Sequence, residues 1–256
     1  MNWKTFASLL ARDAHVARRN FLPSVLQNLL QPLLFVFIFG RVMTTSRFLP
    51  ESYKSLLLPG IMALSMLMSG IQSVAMPLIA EFQFTREIED RLLAPIGIGW
   101  IAVEKVVAGM LQALAAGAVV VPAGWLVLGK GVALSSSRPI ALAAVALAVA
   151  LLAASGGLTL GCSIGQTHIG LMFSLVLAPL IMFGCAYYPW SALHPFPILQ
   201  KAVLLNPLVH ACEGLRATLA PQFPHLSLRV VLPVLLVMDG ALLTAGLLRF
   251  QKKALS

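Results

Sequence analysis

The sequence predicts an all-α integral membrane protein with six transmembrane helices, and three observations lead to that class. Of the 256 residues, 59% are hydrophobic and only 11% are charged, with a mean hydropathy of +0.90 that lies outside the range of a water-soluble domain. Six apolar runs are about as long as the ~20 residues needed to cross a ~30 Å hydrocarbon layer, at about 21–40, 56–80, 101–128, 139–162, 169–190 and 228–248. None alternates with the period of two that a barrel strand requires, so helices are expected to carry every span. No repeat, low-complexity tract or soluble domain interrupts them, and residues 1–256 are expected to form a single transmembrane domain.

Taken in order, the first element is an amphipathic helix over 1–19. Trp3, Phe6, Leu9, Leu10, Ala14 and Ala17 share one face of a helical wheel, while Lys4, Ser8, Arg12, His15 and Arg19 lie opposite, the pattern of a helix lying in a membrane interface. Arg18-Arg19-Asn20-Phe21-Leu22 has the look of a twin-arginine export signal. The apolar run behind it is as long as a full span and no small-x-small cleavage site closes it, so the segment is expected to be retained.

The connector between the first two spans carries Arg41, Arg47, Glu51 and Lys54. The next one is more informative. Between the second and third spans, Arg86, Glu87, Glu89, Asp90 and Arg91 place five charges within six residues. At the centre of a membrane helix they would together cost about 12–18 kcal/mol, so this stretch must lie in water. Phe84, Ile88 and Leu92 recur every four residues, which leaves a helix here one apolar stripe, and Arg86 with Asp90 and Glu87 with Arg91 pair on its wet side. Such a helix can lie flat on the membrane and present charge to a partner protein.

The third and fourth spans are rich in alanine and glycine at 108–124 and 141–161, which predicts close helix packing. Between the last two spans fall Pro189, Pro195, Pro197, Pro207, Pro221 and Pro224. Proline ends or kinks helices, so Ile198–Leu205 and Leu208–Leu219 are read as two short helices that dip into the outer leaflet without crossing it.

The remaining polar chemistry excludes more than it supports. Gly124 to Lys130 fits most of a phosphate-binding loop, but Gly131 stands where a Ser or Thr should hold magnesium, and no strand precedes it. The chain is therefore expected to bind no cofactor of its own and no metal, since its five histidines fall into no ligand spacing. His210, Glu213 and Arg216 lie one helical turn apart, and pairing at the membrane surface accounts for them better than acid–base catalysis. Cys162, Cys185 and Cys212 are expected to be buried small residues. Asp239 is the one acid deep in a span, either on a transport path or subunit contact, or a structural group bonded to a neighbouring helix or held protonated; Gln72 and Gln112 pose the same question in weaker form. The net charge of +9 is scattered among the connectors and makes no basic face, which favours anionic lipid over nucleic acid. With both termini in the cytoplasm the inner segments hold ten Lys and Arg against eight outside, a weak bias.

Across its whole length the chain resembles the permease subunits of type-2 ABC exporters. The resemblance rests on Leu58-Pro59-Gly60-Ile61 opening the second span, and on TREIEDRLLAPIGIGWIAVEKVVAG (85–109), similar to that family's coupling helix leading into the third span. Most specific is a C-terminal signature: Tyr187-Tyr188-Pro189, Pro195, Leu205-Asn206-Pro207-Leu208 and Glu213-Gly214-Leu215-Arg216. The resemblance implies a permease that is not itself an enzyme, in the cell membrane, paired with a second permease subunit and served by two copies of a separate ATPase that hold ATP and magnesium. It also implies that Phe84, Arg86, Glu87, Ile88, Glu89, Asp90, Arg91 and Leu92 meet the ATPase in the cytoplasm. The cargo would be an amphipathic, lipid-linked or drug-like molecule, or a glycan. A membrane-embedded lipid-modifying enzyme and an ion-coupled carrier are the rival readings.

Overall fold

A computed structural model describes residue 30 and residues 32–83, 97–129, 134, 138–165 and 168–255. The expected amphipathic helix over 1–19, the start of the first span and the charged helix at 84–92 lie outside the described residues.

The described chain forms helices α1 (Pro32–Thr45), α2 (Tyr53–Gln83), α3 (Ile98–Leu128), α4 (Pro139–Ser163), α5 (Ile169–Met182), α6 (Pro197–Ala202), α7 (Pro207–Leu219) and α8 (Leu228–Ala254). There is no strand among the described residues. Four of the helices, α2, α3, α4 and α8, are long and apolar enough to cross a membrane. The described parts of the expected first and fifth spans, α1 and α5, are shorter, and both contain wide π-helical turns, at Val36–Val42 and Met172–Leu177.

Helix α2 is the hub. In its apolar stretch 72% of the residues are buried, against 22% for α8, whose Leu236, Val237 and Leu248 stand open to the surroundings. Leu64, Leu67 and Ile71 of α2 meet Ala113 of α3, Val149, Leu152 and Ala153 of α4, Leu215 of α7 and Leu235 of α8 in one cluster. The small residues explain how backbones come this close. A methyl added at Gly157 of α4 would sit 2.8 Å from the Ile71 carbonyl oxygen, and one at Gly161 would sit 2.9 Å from Ala75 Cα. These two glycines, one turn apart, let α4 lie directly on α2.

The fifth span differs from its sequence expectation. The apolar run continues to residue 190, but α5 stops at Met182 and the chain turns back through Phe183–Cys185. Cys185 adopts the left-handed conformation with φ 54°, which reverses the chain and costs a non-glycine residue about 1–2 kcal/mol. Hydrophobicity alone carries no sign of such a turn. What holds it is found on α7.

Candidate functional site

Two groups of polar residues sit at opposite ends of the bundle. The first surrounds α7 and contains the signature residues. Asn206 begins the helix: its Oδ1 accepts from Leu208 N at 2.9 Å, and Pro207 occupies the first helical position, where its missing N–H costs nothing. The other end of the same side chain donates from Nδ2 to the Leu180 carbonyl at 2.8 Å, one of the carbonyls that the end of α5 leaves free. A single asparagine thus starts one helix and ties it to the end of another.

Two turns on, Glu213 is 1% exposed and Arg216 is 0% exposed. Glu213 Oε1 accepts from the Trp190 backbone N–H at 2.9 Å and from Arg216 Nη1, while Oε2 accepts from the Leu226 N–H at 2.9 Å. Arg216 Nη2 donates to the Cys185 carbonyl at 3.1 Å and so fixes the left-handed residue that ends the fifth span. The carboxylate therefore gathers the chain entering and the chain leaving this segment onto α7. Sequence spacing gave the pair but not its burial, since Glu213 and Arg216 are enclosed by the protein. His210 does not join them; its Nε2 lies 2.9 Å from the Leu204 carbonyl.

Around this centre, Trp190 Nε1 donates to the Gln200 carbonyl at 2.9 Å and Tyr188 OH to the Met182 carbonyl at 3.2 Å. Tyr53, at the start of α2, donates its hydroxyl to the Tyr187 carbonyl at 2.5 Å. Pro189 is extended and leads into the short turn at Trp190–Leu193. Cys185 is fully buried. All three cysteines are free and buried.

The second group lies at the other end, on the helices that the 84–96 connection joins. Lys105 of α3 donates to Glu81 of α2 at 2.7 Å, with side chains 5% and 9% exposed. Beside them Phe82 meets Phe250 of α8 edge to face at 5.7 Å, and Lys253 of α8 lies 4.8 Å above the Phe82 ring. Sequence reading missed this group. Residues 81 and 105 are separated by 24 positions, which no helical period connects, and the only signal was Glu104-Lys105 inside an apolar run.

The intramembrane polar residues are not brought together. Asp239 is 2% exposed and, among the described residues, neither carboxylate oxygen has a hydrogen-bond partner, while Gln72 and Gln112 are half-buried. Among the described residues, no hydrogen bond joins any two of the three, and no group of three His, Cys, Asp or Glu side chains could hold a metal. The charged helix Phe84, Arg86, Glu87, Ile88, Glu89, Asp90, Arg91 and Leu92 lies outside the described residues.

A family model described as ABC-2 type transporter matches residues 5–220, a stretch that includes both the 84–96 connection and the whole of α7. The chain belongs to the ABC-2 type transporter family. No curated protein matches it. As a member of this family it is a membrane transport subunit, and the family implies association with an ATP-binding cassette ATPase.

Proposed function

We propose that the chain is the membrane half of an ATP-driven exporter. Two copies, each crossing the cell membrane six times with both termini in the cytoplasm, would enclose a path for an amphipathic, lipid-linked or drug-like molecule, or for a glycan. Two separate ATPase subunits would hold ATP and magnesium. Arg86, Glu87, Glu89, Asp90 and Arg91 would dock on the ATPase, with Phe84, Ile88 and Leu92 facing the membrane.

The observation that carries this reading is the Glu81–Lys105 ion pair, which braces the two helices joined by 84–96. A lever works only if its ends are rigid. The buried pair joins α2 to α3, and Phe82 extends the brace to α8 through Phe250 and Lys253. A push on 84–96 would then move three helices together instead of bending one. At the opposite end Asn206, Glu213 and Arg216 tie α7 to the end of α5 and to the chain at Trp190 and Leu226, the region of Tyr188, Pro189 and Pro207, and this fixed segment would suit a closure of the exit.

The enzyme reading loses ground because its only candidate carboxylate, Glu213, spends both oxygens on backbone N–H groups and an arginine. The carrier reading is left with Asp239, which shares no hydrogen bond with Gln72 or Gln112.

The test is the double reversal Glu87→Arg with Arg91→Glu in the full transporter. ATP hydrolysis is expected to continue while export stops, in protein that purifies with unchanged thermal stability. Export at the wild-type rate would overturn the coupling role.

A further inference from the structure

An open groove of about 500 Å³ runs between the end of α5 and the short helices that follow it, lined by Leu180, Phe183, Leu199, Ala202, Val203 and Leu205, with Asn206 at one side. Asn206 is the one polar side chain lining the groove and is already held at both ends, by the Leu180 carbonyl and the Leu208 N–H, so an occupant must be apolar along most of the part that enters. Phe196, Ile198 and Leu205 of the same segment are 63%, 85% and 82% exposed, which suits hydrocarbon surroundings and not water. The groove has roughly the volume of one long acyl chain.

Charge narrows the choice of headgroup. Exposed Lys201 falls in sequence between the groove residues Leu199 and Ala202 of α6, and its own side chain is not part of the lining. From residue 184 to 229 the only acid is Glu213, and it is buried and paired with Arg216, so nothing acidic on this segment offsets Lys201. A long lysine stem can lie along apolar surface while its ammonium reaches the level of lipid phosphates.

We propose that this groove seats one acyl chain of an anionic membrane phospholipid, with Lys201 on the headgroup phosphate. The proposal depends on the chain's lying in a bilayer but not on its cargo, its orientation or its ATPase.

The test uses the full-length chain in nanodiscs containing phosphatidylglycerol or phosphatidylcholine with a photoreactive diazirine in the acyl chain, followed by peptide mapping. Label is expected to concentrate on residues 179–183 and 199–205, above the level at Leu236 and Val237 on the open face of α8. Ala202→Trp, at an exposed position, fills the groove and should lower that label severalfold without changing the label on α8. Lys201→Glu should lower it more than about fivefold in phosphatidylglycerol, since it removes one basic residue at an anionic surface and adds an acid, and leave it unchanged in phosphatidylcholine. Groove label no denser than that on α8, or unmoved by Ala202→Trp, would overturn the site. An equal response to Lys201→Glu in both lipids would overturn the headgroup assignment.

Discussion

Lys105 and Glu81 form a buried ion pair at 2.7 Å that joins α3 to α2 where the 84–96 connection leaves one helix and enters the other. Removing one member of a buried pair typically costs about 3–5 kcal/mol, far more than a surface pair is worth. Lys105→Met is therefore expected to lower the unfolding temperature in detergent clearly. The exchange Glu81→Lys with Lys105→Glu should recover most of the loss. An exchange as damaging as the single change would mean that the pairing itself is not what matters.

The Glu213–Arg216 pair makes a different demand, because it satisfies backbone groups as well as charge. Glu213→Ala leaves the half-buried Trp190 and Leu226 N–H groups and the buried Arg216 guanidinium without their carboxylate acceptor. Each unmet donor costs about 1–3 kcal/mol, so the folded protein should be recovered poorly or not at all. Glu213→Gln keeps an acceptor oxygen but not the charge and is expected to fall between wild type and alanine. The order wild type, Gln, Ala in purified yield and thermal stability checks the assignment, and equal behaviour of Gln and Ala would count against it.

How much of this could be read in advance depends on the range of each interaction. Four of the six apolar runs appear as helices of spanning length, because length and hydropathy are local properties. The start of α7 was legible for the same reason: Asn206-Pro207 is capping chemistry written in two adjacent residues. Glu213 and Arg216 were legible as a pair through their spacing of three, but not as a buried pair, since burial comes from the segments at 185–190 and 226 that fold back over α7. The early end of α5 was hidden by an apolar run that continues unbroken through the turn at Cys185. Glu81 and Lys105 meet only because two long helices run antiparallel, a fact that no window on the sequence contains.

Asn206 offers a way to separate two roles in one side chain. Asn206→Asp keeps an oxygen to cap α7 but loses the Nδ2 donor to the Leu180 carbonyl, whereas Asn206→Ala loses both. The cap is worth about 0.5–2 kcal/mol and only the alanine variant loses it, the link to α5 being lost in both. Alanine is thus expected to be the less stable of the two in thermal unfolding. Hydrogen exchange around Leu180 should rise in both, while exchange at Leu208 should rise only in alanine. Protection at Leu180 unchanged in the aspartate variant would show that the tie between α5 and α7 is held elsewhere.

Asp239 carries the sharpest contrast between a functional and a structural role. It sits 2% exposed in α8 with neither oxygen hydrogen-bonded among the described residues, so a charge there would lack compensation. Asparagine has nearly the same shape and cannot ionise. If the carboxyl only fills space between helices, Asp239→Asn should preserve transport and stability, and Asp239→Leu should behave similarly after small packing losses. If the acid carries a coupling ion or contacts cargo, both changes should abolish transport while the protein remains as stable as wild type. The environment favours the first outcome, because no second polar side chain of the span region bonds to Asp239 and a pathway needs more than one stop. Transport measured at several external pH values separates the cases further: a structural Asp239 predicts the same pH profile in wild type and in the asparagine variant, and a flattened profile in that variant would assign the acid to the path.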